Sequence, residues 1–386
     1  MNLREQFLLD PGIVFLNHGS FGACPRQVLD AFQGWQREME RNPVEFLARR
    51  SADLLAEARR VLGAFLGANP EHLSFVPNAT HAVNTVARSL RFAEGDEVLT
   101  TDHEYGACDN TWDFVATRTG ARVVRTEIPL PFRASEFTDR IWDRVTGRTK
   151  LIFLSHITST TALLFPIADV CARARKAGIL TFIDGAHAPG QIDLDLDPLG
   201  ADFYTGNCHK WMCAPKGSAF LHARPEHHAL LDSPVVSWGY SDGPGGHTGY
   251  EAFTGSTRLE RRLQWQGTRD LSAFLSVPAA LEFLSGVHWR DRREEAHGLA
   301  VQAMEACAAR FGGEPLARPE DFVQMAPLQV PHAEPELLRR TLFEQHRIEV
   351  PVTTHKGRVF VRVSAAIYTT AADLDALLRG LDAVLR

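Results

Sequence analysis

Between about residue 70 and residue 223 the chain alternates short, strongly apolar runs with longer stretches in which apolar residues recur every three or four positions. The short runs are HLSFV, DEVLTT, ARVVRTEI, KLIFLSHI, ILTFID, ADFYTGN and KGSAFLH, and each reads as a strand. Between them NATHAVNTVARSL, DNTWDFVATRTG and PIADVCARARKAG have helical spacing, the last closed by Gly178. Strands that alternate with helices of this length point to a mostly parallel sheet with helices on both faces. Upstream, Val28, Leu29, Phe32, Trp35 and Met39 predict a helix behind Pro25, a residue that a first helical turn tolerates. Residues 43–66 read as a second, longer helix ending at Gly67. Downstream, a long helix over about residues 289–310 leads to FVQMAPLQV and FVRVS as strands and AADLDALLRGLDAVL as a closing helix. The expectation is an α/β fold in three parts: an arm at 1–20 with a short strand at Ile13–Leu16, a large domain at 21–270 and a smaller α+β domain at 271–386.

Composition narrows the function classes. With 45% hydrophobic and 23% charged residues the chain is ordinary for a globular protein, and its net charge of −6 argues against a nucleic-acid partner. The six cysteines are scattered without a CxxC pair, so neither a disulfide scaffold nor a zinc site is expected. The start, MNLREQFLLD, lacks a basic region feeding an apolar stretch, and no apolar run approaches 18 residues. A cytoplasmic protein with no membrane partner is the expectation. The glycine-rich stretch at 237–256 also carries Trp238, Tyr240, Tyr250 and Phe253, and reads as an active-site or interface loop.

Sheets of this kind bind ligands at the carboxyl ends of their strands. Five polar groups fall there: Asn78–Thr80, His103–Tyr105, Ser155–Ser159, Asp184–His187 and Asn207–Lys210. Two of them have a joint chemical meaning. The Lys210 amine can condense with an aldehyde, and a buried Asp184 carboxylate can hold a protonated ring nitrogen. Asn78, Ala79 and Thr80 open a helix after a strand, where unpaired N–H groups attract phosphate. His187 and His209 lie close to these groups in sequence, but no third ligand has suitable spacing, so no metal site is expected.

VFLNHGSFG, SHITSTTALLFPI, DGAHAPGQID, GNCHKW and FVRVS, in this order along nearly the whole chain, resemble the class V aminotransferase family of pyridoxal phosphate enzymes. The match is nearest to the isopenicillin N epimerase-like branch. The resemblance implies fold type I and pyridoxal 5'-phosphate as cofactor, with Lys210 as the Schiff-base residue and Asp184 as the partner of the pyridinium nitrogen. His187 would pack near the ring. Asn207, where many relatives carry serine, would lie near the phosphate with His209 beside the lysine. Asn78, Ala79 and Thr80 would form the phosphate cup. Thr268, in WQGTRD, matches a threonine that reaches the phosphate of a neighbouring subunit, which implies a homodimer with shared active sites. Tyr105 falls where many relatives stack a histidine on the ring, with His103 as the other candidate. Ser159, or Thr158 beside it, stands where desulfurase-like members use an asparagine. Arg362 matches an arginine that clamps the substrate α-carboxylate, and its planar fork suits that task. Asn17, His18 and Arg358 are secondary candidates near the same pocket.

The branch implies epimerisation of an amino-acid-like small molecule, with the α-proton removed on one face and returned on the other. Lys210 would serve one face and Tyr105, His103 or a residue of 237–256 the second. Transamination and C–S lysis stay open as alternatives. A cysteine desulfurase would need a sulfur-accepting cysteine on a loop of the small domain, whereas the last cysteine, Cys307, falls inside a predicted helix. A non-catalytic scaffold of the same fold is disfavoured because Lys210, Asp184 and Arg362 are all retained.

Overall fold

The computed structural model describes residues 3–240, 255–312, 314–331 and 333–385, so most of the glycine-rich stretch at 237–256 lies outside the described residues. After β1 (Val14–Phe15), all seven apolar runs are strands of one sheet: β2 (Leu73–Val76), β3 (Glu97–Thr101), β4 (Arg122–Thr126), β5 (Thr149–Ser155), β6 (Leu180–Asp184), β7 (Phe203–Asn207) and β8 (Ala219–Ala223). Their order is β2-β8-β7-β6-β5-β3-β4. From β4 through β7 every pairing is parallel, and β8 runs against both its neighbours, β7 and β2. The mostly parallel sheet read from the sequence is therefore present.

Helices on both faces explain why the strands are apolar throughout. Successive residues of β5 feed opposite cores: Ile152 and Leu154 join one cluster, Leu151 and Phe153 the other. The edge strand β4 exposes Arg122 and Arg125, and among the other strands of this sheet only Lys150, at the start of β5, is exposed. One expected element differs. The helix read over 43–66 is broken by a wide π-type turn at Phe46–Arg50, and the regular helix runs from Ser51 to Leu66. The wider turn brings Phe46 inward onto Trp35 while its neighbours Val44 and Glu45 stay exposed. Gly67 closes the helix in the left-handed region, as its position predicted.

The remaining strands are β9 (Met325–Val330), β10 (Ile348–Glu349), β11 (Val352–His355) and β12 (Arg358–Ser364), with β12 central in an antiparallel β11-β12-β9 sheet. Helices Pro335–His346 and Ala371–Leu385 accompany them, of which the sequence pattern showed only the second. The first buries just Leu338 and Leu342, too sparse a stripe to stand out. The arm is joined to this region. β1 pairs with β10, and the Ser364 N–H donates to the Leu16 carbonyl at 2.9 Å. No helix among the described residues is long and apolar enough to cross a membrane.

Behind the arm's first turn, Gly22 (φ +70°) lies against the backbone of His209 and Lys210, where an added Cβ would overlap the His209 carbonyl oxygen. The close approach fixes the segment that carries the lysine. Gly22→Ala is expected to cost at least ~2 kcal/mol of stability in urea unfolding, through strained φ and overlap together. Gly34→Ala, in the open on helix Arg26–Arg41, should instead be neutral or stabilising by up to ~1 kcal/mol. Equal effects of the two substitutions would show that the contact at Gly22 constrains nothing.

Candidate active site

A cavity of about 320 Å³ opens where the carboxyl ends of β2, β3, β5, β6 and β7 meet the arm. Each strand delivers one group of residues, because parallel strands end on the same edge of the sheet and the chain turns there into a helix or loop. Asn78–Thr80, Tyr105, Ser159, Asp184, His187, Asn207, His209 and Lys210 all line the cavity, and the arm adds Ser20 and Phe21.

Lys210 is the centre of the site. Burial, aided by the positive charge of Arg362, pushes its amine down to about 7, against the opposing pull of Asp184 and Cys108. Its Nζ lies 3.1 Å from His187 Nε2. The Trp211 indole N–H points at His187 Nδ1 from 3.4 Å, so Nε2 carries the imidazole proton and donates to the neutral amine. Asp184 is buried beside them. Its Oδ1 accepts from the Ala186 N–H at 2.9 Å, and Oδ2 faces only the Cys108 thiol at 3.4 Å. Burial raises the carboxyl above its ordinary value, which a cationic hydrogen-bond donor in the cavity would reverse.

The helix Ala79–Ser89 points its N-terminus at the opposite wall. Asn78 caps it by accepting the His81 N–H at 2.8 Å, and Asn207 Oδ1 accepts the Ala79 N–H at 2.9 Å. Asn207 thus spends its oxygen on the helix and keeps its NH2 as a donor. His209 donates from Nδ1 to the Ser218 carbonyl at 2.9 Å, and burial lowers its pKa to about 4. Neutral donors, a helix N-terminus, a neutral amine and a buried carboxylate suit a phosphorylated aldehyde with a basic ring nitrogen. The residues present therefore fit pyridoxal phosphate.

Arg362, on β12, enters from the small sheet and is fully buried, which lowers it to about 10. Its partners are neutral: Nη1 donates to the carbonyl and hydroxyl of Ser159, and Nη2 to the Ser20 hydroxyl at 3.2 Å. Its Nε is buried without a partner, and no carboxylate pairs with it among the described residues. A guanidinium in this condition is a receptor for an anion.

The structure separates candidates that the sequence left level. Tyr105 faces the cavity, 47% exposed, whereas the neighbouring His103 is buried on the far side, bonded to Thr161 and the Ile128 carbonyl and stacked 4.0 Å from His355. Thr158 braces its own turn through Thr161 and the Leu163 N–H, leaving Ser159 at the cavity. None of the four substrate-end candidates is in the lining itself, and Arg362 comes nearest, bonded to the lining residues Ser20 and Ser159. His18 lies one layer behind, between the Lys210 carbonyl (3.0 Å) and the Tyr368 hydroxyl (2.9 Å), and so positions the lysine segment. Asn17 holds Ser20 and Glu349. Arg358 must be corrected: it is exposed at the hairpin end of β12, four residues before Arg362 and thus ~13 Å along the strand. Thr268 is exposed and outside the cavity of its own chain.

Two contributors escaped sequence reading. Ser20 was visible only as part of a turn-rich arm. Glu104 fell within the strand-end group His103–Tyr105 but was given no role, and it is buried, accepting from the Ser155 N–H and hydroxyl (2.8 and 2.6 Å) and from Thr101 (2.6 Å). Burial, with Asp184 nearby, pushes it up to about 8.

The chain matches the family Aminotransferase class-V over residues 14–377. It is 39% identical to an isopenicillin N epimerase of Amycolatopsis lactamdurans, over 98% of this chain and 97% of the relative. A protein of Arabidopsis thaliana described as a probable chloroplastic L-cysteine desulfhydrase is 30% identical, over 98% of this chain and 84% of its own. Among solved structures, a cysteine desulfurase of Escherichia coli superposes with a TM-score of 0.81 at 22% identity, over 99% and 97% of the two chains, a likeness of fold. The chain belongs to the class V aminotransferase family of pyridoxal phosphate enzymes, as its motifs implied.

Proposed function

We propose that this protein epimerises the α-carbon of an amino-acid-like substrate, with a bulky or peptide-like side chain, as an isopenicillin N epimerase does. The observation that carries the reading is the full-length identity of 39% with such an epimerase, joined to a cavity lined by Lys210 and Asp184 and, held directly behind its lining residues Ser20 and Ser159, an Arg362 that has no carboxylate partner among the described residues. Bound in the cavity, pyridoxal phosphate supplies an electron sink for the pair left when a Cα bond breaks. Asp184 accepts the ring N–H, and the N-terminus of helix Ala79–Ser89 with Thr80 and Asn207 binds the phosphate. Arg362 clamps the substrate carboxylate. Lys210 moves the proton at Cα on one face, and Tyr105, which also lines the cavity, serves the other.

No cysteine lines the cavity, and burial pushes Cys307, within the helix Trp289–Phe311, up to about 12. A sulfur-accepting mechanism therefore has no thiol to use. C–S lysis needs none, and the 30% identity to a probable desulfhydrase keeps it as the second reading. The three-part division at residues 20 and 270, a cytoplasmic location and a homodimer belong to the same proposal. In the dimer Thr268 serves the partner's phosphate. Gln266, two residues away, already touches His81 at the helix N-terminus at 3.4 Å.

The deciding experiment incubates the enzyme with L- and D-amino acids and peptide-like amines in deuterated water, with and without pyruvate. Epimerisation gives α-deuterium and inverted product with no keto acid consumed. Release of a thiol and pyruvate from cysteine conjugates, without exchange elsewhere, would overturn it in favour of lysis. Arg362→Lys should lower kcat/KM for carboxylate substrates by roughly 10²-fold, since a point charge cannot replace the fork. An unchanged value would place the clamp elsewhere. A protonated amine does not attack an aldehyde, so uptake of pyridoxal phosphate by the apoprotein should accelerate with pH through a midpoint of about 7. A midpoint near the ordinary lysine value of ~10.4 would show that Lys210 is not depressed.

A further inference from the structure

At the end of the large sheet opposite the cavity, three side chains from distant parts of the chain converge. His72 ends the turn Pro70–His72 that leads into β2, His222 lies on β8 paired with Leu73, and Asp197 belongs to the short helix Leu196–Leu199. His72 Nδ1 and His222 Nε2 each lie 3.0 Å from the same oxygen, Asp197 Oδ1, and the three atoms fall within 4.8 Å of one another. Bonds of about 2.0–2.2 Å to one dication keep nitrogen and oxygen ligands roughly 3–3.5 Å apart, so little movement is needed to admit an ion.

The surroundings favour a cation. Asp197 Oδ2 is fixed by the Asn69 N–H at 2.8 Å, an outer contact of the kind that orients a ligating carboxylate. Among the described residues the ionic partners of Asp197 are these two histidines, with no lysine or arginine. His222 is buried on β8, next to the edge strand β2, while Asp197 and His72 keep 38% and 18% of their side chains exposed, which leaves a path in. A second group, Asp102, His103 and His355, has the same residue types but not these conditions. There Lys356 Nζ sits 2.7 Å from Asp102, and both ring nitrogens of His103 are engaged by Thr161 and the Ile128 carbonyl.

We propose that His72, Asp197 and His222 bind one divalent transition-metal ion of the Zn²⁺ or Co²⁺ class. Two imidazole nitrogens and one carboxylate oxygen suit such borderline ions better than Mg²⁺ or Ca²⁺. The site is structural. It ties the β2–β8 edge to the segment Leu196–Leu199, and β2 is the strand that delivers Asn78–Thr80 to the cavity ~15 Å away.

The test titrates chelator-treated holoenzyme, free of amino acids, with Co²⁺ and separately with Zn²⁺. Expected are one Co²⁺ per chain with visible d–d bands and no thiolate charge-transfer band, and a Tm that rises with Zn²⁺ concentration. Asp197→Asn keeps an oxygen that accepts both histidine N–H groups but ligates poorly. Its NH2 then faces the Asn69 N–H, so the metal-free Tm should fall modestly, but metal binding should weaken at least about tenfold and the Zn²⁺-dependent rise above that variant's own metal-free Tm should disappear. His72→Gln should weaken binding likewise, and Asp102→Asn should not. No stoichiometric binding would overturn the proposal. So would an affinity equal in the parent, Asp197→Asn and His72→Gln, or a thiolate band that places the ion on a cysteine.

Discussion

Everything at the active site depends on keeping the Lys210 amine out of water. A lysine in a dry cavity is costly while charged, and burial brings it down to about 7. The surrounding contacts hold the lysine, half-buried, in the cavity lining. Gly22 presses the arm onto the His209–Lys210 backbone, and His18 holds the Lys210 carbonyl from the other side. His187, itself buried and neutral, supplies a hydrogen-bond donor where a carboxylate would have stabilised the ammonium. The fold thus uses its packing to lower the pKa of this amine, and the arm is part of that packing although it lies more than 180 residues away in sequence.

The acids are arranged by the same logic. Asp184 and Ser155 are register partners on β6 and β5, and Ser155 in turn holds Glu104. Two carboxylates this close in a dry interior disfavour each other's ionisation. Glu104 is the one pushed up to about 8, while Lys210 and the Ala186 N–H oppose the rise at Asp184. Asp184, the member that lines the cavity, is thus the one whose ionisation has a cation and a backbone donor to support it. Glu104 acts as a neutral brace for the turn carrying Tyr105.

Much of this was legible in the chain, and the reason is local. The parallel sheet follows from apolar runs alternating with helical spacing, and the site follows because strand ends deliver their next few residues to one edge. That is why Asn78, Tyr105, Asp184 and Lys210 could be named together. What depends on tertiary contact could not be. Whether His103 or Tyr105 faced the cavity depended on which way the chain turns after β3, and His355, far downstream, draws His103 away. Arg358 shares a strand face with Arg362, so alternation alone could not tell the buried position from the hairpin end. The cluster of His72, Asp197 and His222 is the extreme case, since spacings of 125 and 25 residues resemble no ligand motif.

Arg362 shows how the parts of the molecule are coupled through one side chain. It belongs to β12, is held by Ser159 after β5, and is held by Ser20 from the arm. β12 is in turn tied to the arm through Ser364, whose N–H reaches Leu16 and whose hydroxyl accepts from Gly19. A carboxylate that engages the fork in parallel must take donors now given to the two serines. Each serine released is replaced by a charged acceptor, which favours the exchange. Release at Ser20 loosens the arm, and release at Ser159 loosens the turn on the other wall. If Arg362 takes the carboxylate as proposed, both walls of the cavity would respond to its arrival together. That is a reason for such an enzyme to hold its arginine with neutral hydroxyls in place of an acid: a resident carboxylate would have to be displaced at far greater cost.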